Sequence, residues 1–298
     1  MIDGLRQTNF VGAYHFSDII SNVLSDPLEY MAGGLEAFCD GQEVYSFLPP
    51  FPRKSALHRF AAFMIDALFW EADVDGYEPP DKAKIESQRM MAKLSRETTG
   101  ELWVERAFRA HGIVFDPFTD WSRQQEELSA DAAYYWFQEL RMSEEYERLI
   151  DHLTRDVFSI LFANRTVLRD LNLLIAQDLL DADPPEPDYV EVDYGRFLTT
   201  RGRARRTSIP AWAKRAVFYR DRGRCCFCHR DLGGLLSPLA ELAYDHIVPL
   251  AEGGINDVTN LQLLCGPCNR SKAAKHDLAS NFYGVWYDDS DLADVKKS

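Results

Sequence analysis

From about Ser17 to Asp181, apolar residues recur at steps of three and four, the spacing that gathers side chains on one face of an α-helix. Leu57, Phe60, Ala61, Met64, Leu68 and Phe69 form one such stripe. Ile150, Leu153, Val157, Ile160 and Leu161 form a second, and Leu168, Leu171, Leu174 and Ile175 a third. Two polar residues sit where helices should begin: Asp81 ahead of Lys82-Ala83-Lys84-Ile85, and Ser143 ahead of Glu144-Glu145. The second is only a partial capping pattern, because Tyr146 stands where a capping box carries Glu or Gln. Gly100 and Pro117 punctuate the pattern. The stripes predict a helical core, and the isolated histidines among them (His15, His58, His111 and His152) read as packing or surface residues. The chain shows no internal repeat and no glycine-rich phosphate loop.

The helical pattern stops at Asp181-Ala182-Asp183-Pro184-Pro185-Glu186-Pro187-Asp188, where three prolines rule out a continuing helix. This predicts a helical domain over 1–182, an acidic proline-rich linker over 183–200 and a compact domain over 201–298. Ile209-Pro210-Ala211-Trp212 opens a short helix reaching about Arg220. Beyond it, Tyr244 to Leu250 reads as a strand, apolar except for Asp245-His246. Glu252-Gly253-Gly254 turns the chain, Asn260 to Leu264 is a second extended segment, and a helix starts at Pro267 and runs to about Leu278. The fold class is therefore mainly α, with a small ββα unit near the C-terminus.

Composition adds three points. At 298 residues and 46% apolar, the chain is long enough for about two domains and apolar enough to bury cores. No apolar run approaches the roughly 18 residues of a membrane span, and Met1 to Arg6 lacks the basic-then-apolar pattern of a secretion signal, so a cytoplasmic location is expected. The net charge of −14 is unevenly placed: residues 201–298 hold 15 Lys and Arg against 11 Asp and Glu, whereas residues 1–200 hold 18 against 36. A basic module joined to an acidic one points to a polyanionic partner for the basic part alone, and to a protein or small-signal partner for the acidic part. The run Arg201 to Arg206, with Arg203, Arg205 and Arg206, and the helix residues Arg270, Lys272 and Lys275 are the candidate phosphate contacts.

Four of the six cysteines fall in two C-x2-C pairs, Cys225/Cys228 and Cys265/Cys268, separated by 36 residues. Such pairs can supply four thiolates at the tetrahedral spacing of a structural Zn²⁺, and a reducing compartment favours metal over disulfide. Cys226 lies between two candidate ligands, and C-x2-C geometry favours its neighbours. Cys39 reads as a small core residue. His229 would enter the ligand set only if Cys225 were not part of it, and His276 is a weaker candidate still.

Between the pairs, Asp-His-Ile-Val-Pro-Leu, Glu-Gly-Gly, Asn-Leu-Gln-Leu-Leu-Cys and Cys-Asn-Arg-Ser-Lys follow one another. In this order they resemble the HNH endonuclease family of His-Me finger nucleases, over roughly residues 205–280. The resemblance implies a zinc-pinned ββα-metal fold that breaks nucleic acid with one divalent cation. It implies His246 as general base, Asp245 and Asn269 as cation ligands, and Asn260 as the residue orienting the loop and the histidine. The variant is D-H…N…N, and Asn at 269 favours a hard cation such as Mg²⁺ or Mn²⁺ over Zn²⁺ at this second site. The expected partner is nucleic acid, double-stranded DNA in the first instance, and cutting both strands from one site per chain would suggest a homodimer. Two readings compete with a DNA endonuclease: a non-catalytic zinc-dependent nucleic-acid-binding adaptor, and an RNA-directed nuclease. By analogy of architecture alone, an acidic helical regulator on a nuclease suits a bacterial or phage defence or restriction effector.

Overall fold

In the computed structural model, residues 10–27, 38, 41–77, 102–125, 130–182, 193–234, 241–272 and 279–283 are described. The chain is mostly helical, with a small two-stranded sheet towards the C-terminus. In order, the helices and strands are α1 (Phe10–Ser25), α2 (Ala56–Trp70), α3 (Trp103–Ala110), α4 (Phe118–Gln125), α5 (Ala130–Arg141), α6 (Glu144–Leu161), α7 (Arg165–Asp181), α8 (Ala211–Arg220), β1 (Leu242–His246), β2 (Leu261–Cys265) and α9 (Gly266–Lys272). No helix among the described residues is long and apolar enough to cross a membrane. The predicted helix start at Asp81, the punctuation at Gly100 and the core assignment of Cys39 lie outside the described residues.

The contacts divide the chain into two compact units: Met1–Ile20 with His58–Ile160, and Ser21–Leu57 with Leu161–Ser298. In the first unit, the α2 stripe buries Phe60, Ala61, Met64 and Phe69 as its spacing predicts, with Ile65 inside and Leu68 only half-buried. Ser143 does start α6, its Oγ accepting the Tyr146 N–H at 3.1 Å. Two carboxylates tie the short helices together. Asp73 accepts the Trp103 and Val104 N–H groups at the start of α3, at 2.6 and 2.7 Å. Glu105 accepts the N–H groups of Leu102 and Phe118 at 3.0 and 2.9 Å, satisfying the start of α4 as well as that of its own helix. The histidines of this unit make ring contacts: His15 with Trp103, His58 stacked on Phe158, His111 edge-on to His152.

The second unit carries the sheet. β1 and β2 are antiparallel, with Leu242 opposite Cys265 and His246 opposite Leu261. Every residue of β2 is buried, whereas β1 shows one end to solvent and buries His246 at the other. The core beneath is Ala213 and Val217 of α8, Cys225, Cys226, Leu232 and Val258, and the β2 residues Leu261, Leu263 and Leu264.

Helix α7 also belongs to this unit, although the sequence pattern places it in the helical domain ending at 182. Its Asn172 donates to Thr259 Oγ1 at 3.2 Å, and its Ala176 carbonyl lies against Gly253. The expected linker is described only from residue 193. There the chain is folded: a short helical turn at Tyr194–Phe197 leads into a hairpin in which Leu198 bridges Ala204.

A buried charge cluster holds the unit together. Asp221, at the end of α8, takes Arg220 Nε at 2.8 Å, Arg220 Nη2 at 2.9 Å, Arg165 Nη1 at 3.2 Å and the Leu263 N–H at 2.9 Å. Burial would push the Asp221 carboxyl up, but Arg220, Arg165 and the Leu263 N–H outweigh it and hold it below the usual carboxylate range. Arg165 also reaches the carbonyls of Ser280 and Phe282, at 2.6 and 2.9 Å, and Arg220 that of Leu261 at 2.6 Å. One carboxylate thus joins α7, α8, β2 and the segment 280–283. Nothing in the sequence pattern singled it out, because no spacing rule links residues 165, 221 and 263.

Candidate active site and metal centre

The two cysteine pairs converge. The sulfurs of Cys225, Cys228, Cys265 and Cys268 all lie within 4.8 Å of one another, with Cys228 and Cys265 at 3.6 Å. A tetrahedral zinc with sulfurs about 2.3 Å away separates its ligands by about 3.8 Å, so these four thiols are placed to bind a structural zinc ion. Burial opposes ionisation of Cys225, but backbone N–H groups of Cys228, Cys265 and Phe227 outweigh it and bring its pKa down to about 7. Cys226 is a core residue instead: burial first, then the Asp221 charge, pushes its thiol up to about 12. His229 is outside the sulfur cluster, its ring set edge-on against Phe282 at 4.7 Å between centroids.

Strand register fixes what lies where. Cys265 pairs with Leu242 at one end of the hairpin and His246 with Leu261 at the other, four residues or about 13 Å away. Helix α9 starts beside the cysteines and runs back until Lys272 reaches the histidine end. The thiol cluster therefore braces the hairpin from the side opposite to His246.

At that far end, Asn260 is fully buried and spends its whole side chain on the loop after β1. Its Oδ1 accepts the Val248 N–H at 2.8 Å, and its Nδ2 donates to Val248 O at 3.0 Å and Ile255 O at 2.9 Å. The two glycines are forced by close approach. A Cβ on Gly254 would sit 2.1 Å from Val248 O; Gly253 has φ +88°, and its Cβ would sit 2.7 Å from the Ala176 carbonyl of α7. Asp257 closes the loop, accepting the Thr259 N–H at 2.8 Å and the Ala56 N–H at 3.0 Å.

His246 is 3% exposed, and neither ring nitrogen has a hydrogen-bond partner among the described residues. Its surroundings are charged: burial, followed by Arg206, lowers its pKa to about 4, with Lys272 adding to the effect and Asp245 and Asn256 opposing it. Asn256 donates to Arg205 O at 2.7 Å, and Arg203 Nε donates to Ala251 O at 3.2 Å, so the arginine hairpin is pinned along the loop. Arg205 itself bonds Leu198 O, and Arg206 is exposed.

Asp245 is half-buried, and its Oδ2 takes Lys272 Nζ at 2.7 Å and Gln262 Nε2 at 3.4 Å. Asn269 is half-buried on α9, one turn before Lys272 and so on a neighbouring face. Lys272, expected among the phosphate contacts, is 4% exposed, with Nζ bonded to Asp245 at 2.7 Å and to His246 O at 2.6 Å. Arg270 is exposed and paired with Glu241 at 3.0 Å. Lys275 and His276 lie outside the described residues.

Residues 225–275 match the family described as HNH endonuclease. That stretch contains both cysteine pairs, β1, the glycine turn, β2 and α9, so this part of the chain is an HNH domain whose four cysteines are placed to hold a zinc ion. Neither the curated proteins nor the solved structures give a match to the chain. The HNH family is one of nucleases, and the domain implies binding to nucleic acid.

Proposed function

We propose that the chain is a metal-dependent endonuclease that hydrolyses phosphodiester bonds of double-stranded DNA, with His246 as general base. The observation that carries this reading is the meeting of Asp245, His246 and the loop stapled by Asn260 at one end of a hairpin braced by four cysteines at the other. In this reading Asp245 and Asn269 hold one hard divalent cation, Mg²⁺ or Mn²⁺. Their donor set of one carboxylate and one amide oxygen suits such an ion, whereas the thiol cluster suits zinc. The cation, when bound, would neutralise charge developing on the phosphate.

The chain's own residues do the rest. A base needs an unprotonated nitrogen, and His246, with its pKa lowered to about 4, is neutral at physiological pH. In a neutral imidazole one nitrogen carries the N–H and the other is the acceptor, and among the described residues no hydrogen bond occupies either. Asn260 fixes the carbonyl and amide of Val248, two residues beyond the histidine, so the imidazole cannot drift with its loop. Arg203, Arg205, Arg206 and Arg270 supply the phosphate contacts. The acidic helical part of the chain would be repelled by DNA, and we assign its first unit to control: it meets a protein or a small signal, in the manner of a bacterial or phage defence or restriction effector, the chain acting in the cytoplasm and as a homodimer where both strands are cut.

Plasmid nicking tests the assignment. The full chain with Mg²⁺ or Mn²⁺ should cut, and His246→Ala should lower the rate by about 10²–10⁴, the usual contribution of a general base. A His246→Ala protein that cuts like the parent would end the reading. A second reading, a nucleic-acid-binding adaptor without catalysis, is favoured by the 3% exposure of His246, which bars water from the imidazole in this state. Under that reading DNA is retained and no metal supports cutting.

A further inference from the structure

We propose that Lys272 makes cation binding depend on substrate: its ammonium neutralises Asp245, so divalent cation and nucleic-acid phosphate enter the site together. The inference rests on the metal-dependent reading above. Lys272 has a side chain only 1% exposed, with Nζ 2.7 Å from Asp245 Oδ2 and 2.6 Å from His246 O. A buried ammonium is costly unless paired and hydrogen-bonded, and this chain places one between the candidate cation ligand and the backbone of the candidate base.

The charge balance decides the consequence. The charged groups acting on the imidazole are Asp245, Arg206 and Lys272, one negative and two positive. A small hard dication is normally held by one or two carboxylates together with substrate phosphates. Here the carboxylate is already cancelled, and the partner ligand Asn269 is neutral. Even at the dielectric of bulk water, a dication about 5 Å from an ammonium is disfavoured by more than about tenfold. A phosphodiester brings the missing negative charge. Lys272 meanwhile holds Oδ2, leaving Oδ1 of Asp245 for the cation.

Mn²⁺ binding, read from the electron paramagnetic resonance of the free ion, tests this on the whole 298-residue chain loaded with zinc. His246→Ala is the background, to stop turnover, and Mn²⁺ is added alone or with a short DNA duplex. With Lys272 present, the duplex should tighten Mn²⁺ binding at least tenfold. Lys272→Met should bind Mn²⁺ alone at least tenfold more tightly and lose most of the duplex effect. Lys272→Gln, which removes the charge but keeps a donor, should do the same if the Met variant folds poorly by zinc retention. Lys272→Arg, which keeps the charge, should resemble the parent. Uncharged variants that bind Mn²⁺ equally or more weakly would overturn the proposal and make Lys272 a mere brace. Asp245→Asn separates the two levels. If it leaves Mn²⁺ binding unchanged with and without DNA, the metal-site reading itself falls. If it weakens binding while Lys272→Met fails to tighten it, only the role of Lys272 falls.

Discussion

Replacing Asp221 by Asn should cost the second unit more than replacing Arg165 by Met, although both break the same 3.2 Å ion pair. The reason is the charge count of the cluster. Asp221, with a side chain at 0% exposure, is shared by two guanidiniums whose side chains are 2% and 1% exposed. Removing Arg165 leaves Asp221 paired with Arg220, a balanced couple that keeps its two bonds at 2.8 and 2.9 Å. Removing the carboxylate charge leaves two buried cations facing each other and weakens the acceptor for the Leu263 N–H on β2. Breaking a buried pair so that a charge is stranded costs about 3–5 kcal/mol, a large part of the roughly 5–15 kcal/mol that holds a domain folded. Asp221→Asn should therefore fall in or above that range. Arg165→Met, which forfeits the carbonyls of Ser280 and Phe282 but strands no charge, should cost about 1–3 kcal/mol. Urea titration followed by zinc release to a chromophoric chelator reports this unit specifically, because all four thiols lie within it. A loss below about 1 kcal/mol for Asp221→Asn, or a larger loss for Arg165→Met, would refute the reasoning.

Further consequences can be measured with the same tools. Cys228→Ser or Cys265→Ser should release zinc and unfold the HNH domain, whereas His246→Ala should retain one zinc per chain by metal analysis, since the histidine sits about 13 Å along the hairpin from the cysteines. Gly254→Ala should displace the Val248 carbonyl, 2.1 Å from the new Cβ, and lower stability by about 2 kcal/mol or more in chemical denaturation. Asp73 has its pKa raised to about 6, by burial first and Glu105 in addition, against the Trp103 and Val104 N–H groups that lower it. Its contribution is thus fully present below about pH 4 and lost as pH rises through about 6, a change of about 3 kcal/mol that Asp73→Asn should flatten in unfolding measured across that window. A chain beginning at Tyr194 would lack α7, with Arg165, Asn172 and Ala176, and should be insoluble or unfolded by circular dichroism rather than activated.

What the sequence made legible was whatever repeats with a period or keeps a fixed spacing. The helical stripes became helices, with exchanges such as Ile65 buried and Leu68 only half-buried, because amphipathic periodicity reports which face is buried but not how neighbours crowd it. The C-x2-C pairs could be read from their coordination spacing, whereas the Asp-His step at the end of β1, the Gly-Gly turn and Asn260 stood out only through the resemblance carried by the ordered motifs. Lys272 could not: a lysine four residues after a cysteine on a short helix looks solvent-facing until the helix is seen to run back over β1. Nor could the place of α7 in the second unit, because its contacts with Gly253 and Thr259 span about 80 residues and leave no periodic trace. The charge cluster escaped for the same reason.

The division of the chain into interleaved stretches has a bearing on synthesis. The second unit starts before residue 58, is interrupted until residue 161, and is closed by the carbonyls of Ser280 and Phe282 on Arg165. A ribosome emits these pieces in order, so the nascent polypeptide carries its histidine loop for some time without the last clasp. The unit that carries the cysteines and the histidine would therefore close only once the segment 280–283 has emerged, long after its first stretch was made.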